Sequence, residues 1–309
     1  LRTLFLSHPR YREHLAPENH PEQPERIVAI EKRLESEAFQ DLIRDQARPV
    51  TDSEIQRVHP NGYVEHIRIQ APHEGLLSIS QDTILSNGTY EAARLAAGAA
   101  CLAVDEVMGG LVDNAFSAAR PPGHHASARQ AMGFCFFNHA AIAARHAQAE
   151  HGAERVAIID FDVHHGNGTQ NIFEADGSVF YGSIHQAQLF PGTGLASETG
   201  VANNILNVPL NAGTSGATAI AAITERILPA VAAFGPDIII LSAGFDAHYR
   251  DPLGDLNLVE ADYAVITRRI METADKQCGG RIVSLLEGGY DVESLGLSAA
   301  AHVSALMGH

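Results

Sequence analysis

Short apolar runs alternate with longer stretches of helical periodicity along most of the chain. Runs at 3–7, 115–118, 156–159, 179–184, 205–210, 237–241 and 281–286 are mostly apolar and often β-branched, the pattern of strands buried on both faces. DIIIL at 237–241 is the purest of them. Between them, Ile27, Ile30 and Leu34 recur at helical spacing behind Pro24, a good helix-start residue. Further helices are predicted over 53–58 and 62–69, over the Ala-rich 89–108, from the capping residue Asn138, from Gly168 to Phe173, and over 216–234, 261–274 and 292–307. Segments 8–23 and 186–200 read as loops, and 71–87 shows little regular pattern. Strands alternating with helices predict an α/β fold with a mainly parallel sheet and helices on both faces. No linker, repeat or low-complexity tract divides the chain, so 1–309 reads as one domain.

Composition narrows the partners. The 309 residues are 45% hydrophobic, enough for a sizeable core within one large α/β unit. Lys plus Arg number 21 against 37 Asp plus Glu, a net charge of −16. That argues against nucleic acid and favours cationic partners such as basic peptides or polyamines, although many soluble proteins are simply acidic. Three cysteines without a C-x-x-C pair do not make a disulfide framework, and the expected location is a reducing compartment, the cytoplasm. The first apolar run is too short for a signal peptide, and no run approaches the length of a membrane span, so no membrane partner is expected.

The candidate chemistry centres on IIDFDVHHGNG at 158–168. Strand residues two apart point the same way, so Asp160, Asp162 and His164 share a face at a strand's carboxyl end. In open α/β sheets ligands bind at such ends, and a mixed Asp/His set suits a catalytic zinc or similar divalent ion. A hydrogen-bonded acidic strand end beside a turn is the alternative. Three other strand ends also carry polar residues: His124 and His125, Asp246, and Glu287 through Tyr290. Each has an ordinary reading: a turn with bonded imidazoles, a loop cap, a half-buried tyrosine. Their recurrence just after apolar strands favours a shared site at one sheet edge, and eight of the 17 histidines fall between Arg120 and Phe190.

Several stretches resemble the histone deacetylase family, including bacterial histone deacetylase-like amidohydrolases. They are RPPGHH at 120–125, GFCFFN at 133–138, DFDVHHGNG at 160–168, FPGTG at 190–194, SAGFDAHYRDPLG at 242–254 and LEGGY at 286–290, with HPEQPER at 20–26 and DTILSNGTYEAA at 82–93. The resemblance spans about His20 to Tyr290 in the family's order. It implies the arginase/deacetylase fold, with an eight-stranded, mainly parallel sheet between helices. The implied activity is a zinc-dependent amidohydrolase removing acyl groups from the ε-amine of lysine in proteins or peptides. Acetylated polyamines or other small amides are the alternative substrates, and a non-catalytic acyl-group binder is a further one. A homo-oligomer is compatible with the sequence.

Residue by residue, the resemblance implies Asp162, His164 and Asp246 as zinc ligands. His125 is the implied general base and acid, His124 its electrostatic assistant, Asp160 the partner of His124, Asn167 the partner of His125, and Tyr290 the oxyanion donor. Because Asn carries no charge, His125 is expected to be less basic than with an Asp partner. Gly133, Phe134 and Phe190 are the implied tunnel walls, Asp82 a rim contact to the substrate backbone, and Arg26 a neighbour of an inner cavity for the released acid. A structural K⁺ or Na⁺ is implied on the side chains of Asp160, Asp162 and Ser183 and the carbonyls of Asp162, His164 and Ile184. The resemblance also allows a second such ion between Phe173 and Val179. Leu253 stands where polyamine-specific members carry an acidic residue, which lowers the polyamine reading. Leu189 beside Phe190 departs from the more usual aromatic loop and implies a wider rim.

Overall fold

A computed structural model describes residues 1–309. Ten strands occur in chain order: β1 (Thr3–Ser7), β2 (Ile43–Gln46), β3 (Leu76–Ser78), β4 (Ile84–Ser86), β5 (Asn114–Ser117), β6 (Val156–Asp160), β7 (Val179–Gln186), β8 (Ile205–Leu210), β9 (Ile238–Ala243) and β10 (Ile282–Leu286). The ten α-helices are α1 (Glu25–Leu34), α2 (Asp52–Ile55), α3 (Asn61–Gln70), α4 (Thr89–Met108), α5 (His139–His151), α6 (Asn167–Phe173), α7 (Gly216–Ala222), α8 (Leu228–Phe234), α9 (Glu260–Cys278) and α10 (Val292–Leu306). Eight strands form one sheet in the order β2-β1-β5-β10-β9-β6-β7-β8, and every pair in it is parallel. Helices cover both faces, which is why the central strands read as unbroken apolar runs.

Four neighbouring strands, β5, β10, β9 and β6, lead into RPPGHH, EGGYD, SAGFDAHY and DFDVHH. Register brings their ends level: Asp160 pairs with Ser242, and Ala243 with Leu286. The four polar segments therefore leave the sheet side by side, at its carboxyl edge.

Several elements differ from the sequence expectation. β2 is an edge strand of sequence IRDQ, exposed at all four positions, and so has no apolar pattern to read. β3 and β4 pair as a small antiparallel hairpin inside the segment that lacked a pattern. Residues 216–234 form a continuous helical stretch with a π-helical turn at Ile223–Ile227. Contrary to expectation, this stretch is long and apolar enough, by length and composition alone, to cross a membrane. Here Ala219, Ile223, Ile227, Leu228 and Val231 join the core.

α4 shows how small residues set the packing. A Cβ on Gly98 would run into the backbone of Arg48, Pro49 and Val50, and Val50 N–H donates to Arg94 O at 2.9 Å. The helix thus touches the 48–50 segment backbone to backbone. Gly98→Ala should destabilise the protein by ~1–3 kcal/mol through overpacking, read by urea unfolding. A gain of about 1 kcal/mol, the helix-propensity difference alone, would contradict this packing.

Candidate active site

Asp162, His164 and Asp246 are buried and their ligand atoms lie within 4.8 Å of one another. His164 Nδ1 is 3.0 Å from Asp162 Oδ1 and 3.2 Å from Asp246 Oδ2. Backbone donors aim both carboxylates: His164 N–H (2.9 Å) and Gly288 N–H (2.8 Å) to Asp162, and Val163 N–H (2.8 Å) to Asp246. Glycines make the space, since a Cβ on Gly288 would press on Asp246 and Asp162, and one on Gly244 on Asp162. Burial and the charge of Asp162 push Asp246 up to about 7. Burial opposes the charge on His164, yet its bonds to Asp162 and Asp246 push it up to about 10. The position between these three side chains demands positive charge. Two carboxylate oxygens and one imidazole nitrogen there fit a divalent ion such as zinc.

The histidine pair lies alongside. His124 Nδ1 is 2.9 Å from Asp160 Oδ2, and His125 Nδ1 is 2.8 Å from Asn167 Oδ1. The two rings lie 4.1 Å apart between centroids. Burial works against a charged His124, but Asp160, Asp162 and Glu287 raise it well above its ordinary value. Burial, then the charges on His124 and His164, hold His125 well below its own. The pair is therefore split in basicity, with His124 the stronger base. His165 takes no part, because its Nδ1 faces Thr193 Oγ1 at 2.8 Å and its Nε2 faces Gln170 Oε1 at 2.9 Å.

A cavity of about 400 Å³ opens onto this cluster, lined by His125, His164, Tyr290, Gly133, Phe134, Leu189, Phe190, Leu253, Asp82 and Asp255 among others. Phe190 meets His125 edge-on at 5.1 Å, and Phe134 meets Tyr290 edge-on at 5.7 Å. Gly133 (φ 54°) and Phe134 (φ 68°) are both left-handed, and a Cβ on Gly133 would collide with the His125 ring. Gly133 N–H donates to Asp82 Oδ1 (3.2 Å) and Phe134 N–H to Thr83 Oγ1 (3.3 Å). Asp82, expected at the rim, thus also braces the wall.

Arg26 does not line the cavity and is completely buried. Its Nε donates to Gly289 O (2.6 Å), NH2 to Glu287 O (2.5 Å) and NH1 to Glu22 Oε1 (3.0 Å), and it stacks on Tyr290 at 4.9 Å. Each guanidinium nitrogen is engaged with protein, so Arg26 supports the Tyr290 loop. Ser183 lies opposite Asp160 in the β6–β7 register, with Oγ 2.9 Å from His185 Nδ1. Ile184 follows it, buried in the same strand.

Two carboxylates at the site had no assigned role. Asp251 accepts from Tyr290 N–H (2.6 Å) and Leu253 N–H (3.0 Å), setting both residues. Glu287 accepts from Gly123 N–H (2.7 Å), His124 N–H (3.1 Å) and Ser242 Oγ (2.9 Å), tying three strand ends together. Glu287 stood among the polar strand ends, whereas Asp251 inside RDPLG had no signal of its own. Elsewhere, Asp105 Oδ1 meets the Nε2 atoms of His146 (2.6 Å) and His151 (2.8 Å). Arg57 donates to His146 Nδ1 at 3.0 Å, so His146 carries its proton on Nε2, and this cluster is a hydrogen-bond network.

A histone deacetylase domain model matches residues 20–306, and the chain belongs to the histone deacetylase family, a family of hydrolases. It is 40% identical over 311 residues to the chloroplastic histone deacetylase 14 of Arabidopsis thaliana, covering 94% of this chain and 74% of that protein. It is 38% identical over 299 residues to a histone deacetylase-like amidohydrolase of Pseudomonas aeruginosa, covering 95% and 78%. The crystal structure of the HDA15 HD domain superposes with a TM-score of 0.94 at 38% identity, covering 100% of this chain and 88% of that one. The fold is the arginase/deacetylase fold.

Glu22, 1% exposed, bridges Arg26 and Arg120 and lies 3.2 Å from His14. Burial alone would raise its carboxyl, but Arg120, His14 and Arg26 bring it well below the ordinary 4.5. A depressed folded-state pKa contributes stability above about pH 4.5 that is lost as pH falls through the folded value. Glu22→Gln should therefore cost ~3–5 kcal/mol at neutral pH, with the deficit shrinking in acid, as measured by urea unfolding across pH. A deficit that stays constant into acid would contradict the charge assignment.

Proposed function

We propose that this protein is a zinc-dependent deacylase that hydrolyses the amide of N-ε-acetyl (acyl) lysine in proteins or peptides. The observation that carries this reading is the apolar cavity between Phe134 and Phe190, which ends at His125, His164 and Tyr290. An alkyl stem fits between the aromatic walls, and its acyl group then meets the polar floor. No lysine or arginine lines the cavity, and Asp82 and Asp255 do, which suits a cationic peptide. Leu253 offers no charge to a second ammonium, which favours lysine over an acetylated polyamine.

Asp162, His164 and Asp246 would hold the zinc. When bound, zinc supplies Lewis acidity, polarising a carbonyl and easing the deprotonation of water. In this reading His125 is the general base. Its Nδ1–H donates to Asn167, leaving Nε2 free to take the water proton and then return it to the departing amine. His124, charged and fixed on Asp160, favours negative charge at the reacting carbonyl. Tyr290 donates a hydrogen bond from its hydroxyl to the oxyanion, and Asp251 and Arg26 hold that tyrosine in place. Asp160, Asp162 and Ser183, with the carbonyls of Asp162, His164 and Ile184, form an oxygen-rich set suited to a structural K⁺ or Na⁺ beside the zinc.

The test is a kinetic panel of zinc-loaded protein on acetyl-lysine peptides, longer acyl-lysines and acetylated polyamines. Acyl-lysine peptides should have the highest kcat/KM, and Tyr290→Phe should lower kcat by ~10²–10³. Preferred cleavage of acetylated polyamines would replace the substrate class, and binding without cleavage of any amide would overturn the reading.

Asn167→Asp tests the base. A carboxylate beside His125 raises its pKa, so a higher pH is needed to free the base. The acidic limb of the kcat/KM profile should move to higher pH, and an unmoved limb would remove Asn167 as the residue that sets this basicity.

A further inference from the structure

The turn joining α6 to β7 carries an arrangement that the catalytic reading does not use. The backbone carbonyls of Phe173, Asp176 and Val179 converge on one atom, Asn204 Nδ2, at 2.8, 3.1 and 2.9 Å. Asn204 sits just before β8 and is 2% exposed. Its own carbonyl accepts from Tyr181 N–H at 2.8 Å, tying it into the β7–β8 edge.

Three carbonyls facing one point, those of Phe173 and Val179 buried and that of Asp176 partly so, form the environment of a small cation, because each turns the negative end of its dipole inward. Phe173 is the last residue of α6, and its carbonyl accepts the Asp176 N–H at 2.9 Å while the Asp176 carbonyl accepts the Val179 N–H at 3.3 Å, so the turn already uses one lone pair of each and Asn204 meets the other. A primary amide has only two N–H bonds. It cannot give three acceptors a straight hydrogen bond each, so at least one carbonyl shares a hydrogen. This is poor hydrogen-bond arithmetic but reasonable electrostatics, with the positive end of the amide dipole at the focus of the ring. The opposite end is also accommodated. Asn204 Oδ1 lies against Gly200 (φ 70°), where any Cβ would collide with it.

The family resemblance allows a second monovalent cation between Phe173 and Val179. The residues present do not fit one, since the focus of the carbonyls is filled by nitrogen. We infer that the side-chain amide of Asn204 takes the place of a cation in this protein, closing the Phe173–Asp176–Val179 carbonyl ring to monovalent ions. A tethered amide brings its positive end without drawing an ion from solution. The turn between the helix bearing Asn167 and the strand bearing Ser183 is then held in any salt. Any salt response of this protein arises elsewhere, the oxygen set around Asp160 being the candidate. This inference does not depend on the substrate or on zinc.

Two measurements decide it. Wild-type crystals transferred to rubidium chloride should show no anomalous peak among these three carbonyls, whereas a peak there with the amide rotated away would overturn the inference. Thermal unfolding of wild type and Asn204→Ala is then compared in potassium chloride and in choline chloride at equal ionic strength. The variant should melt several degrees lower in choline, with most of that gap closed by potassium, because a cation can fill the vacated focus. An equal gap in both salts would show that the amide does nothing a cation can replace, and would overturn the inference. Both proteins share the Asp160 region, so its salt response cancels. A variant that fails to fold in either salt counts against rescue by a cation, and the wild-type crystals still decide the occupancy.

Discussion

Asp160, Asp162, Asp246 and Glu287 are all buried at the carboxyl edge of β6, β9 and β10. Carboxylates this close in a water-poor interior repel one another, and each loses its hydration. The fold compensates in three ways. Backbone N–H groups of Val163, His164, Gly123, His124 and Gly288 point at the oxygens. His124, its basicity raised by the neighbouring carboxylates, sits between Asp160 and Asp162. At the remaining focus, between Asp162, His164 and Asp246, the protein alone can offer only protons, and a divalent ion is the natural replacement.

The same constraint explains the surrounding architecture. Side chains cannot approach this closely unless backbone steps aside, hence Gly244 and Gly288 against the carboxylates. The cavity wall needs two consecutive left-handed residues at Gly133 and Phe134, and Asp82 and Thr83 hold them through backbone hydrogen bonds. Tyr290 is fixed from two sides, by Asp251 through its amide and by Arg26 through its ring. Arg26 in turn depends on Glu22, which makes the acid dependence of stability and the shape of the site parts of one network.

Much of this was legible in the chain. Apolar runs followed by polar residues located all four strand ends, but β6 stops at Asp160, so Asp162 and His164 stand in the bend beyond it and strand alternation does not set their directions. The motif resemblance supplied the eighth strand that the apolar pattern could not, because IRDQ at the sheet edge buries nothing. What stayed hidden depends on backbone groups brought together by folding. Arg26 braces the Glu287–Tyr290 loop through the carbonyls of Gly289 and Glu287, which its charge alone does not reveal. Asp251 acts through the amides of Leu253 and Tyr290, the latter distant in sequence. Asn204 gave no sign at all, since its partners are main-chain oxygens from another segment.

The central claim is that one divalent ion completes the buried carboxylate cluster. Calorimetric titration of metal-free protein with zinc, run in buffers of different ionisation enthalpy, tests it most directly. The account predicts one zinc per chain, bound with proton release because the ion needs a neutral imidazole and ionised carboxylates as ligands, and loss of that binding in His164→Ala. Two ions per chain at this site, or one ion bound unchanged in His164→Ala, would contradict it.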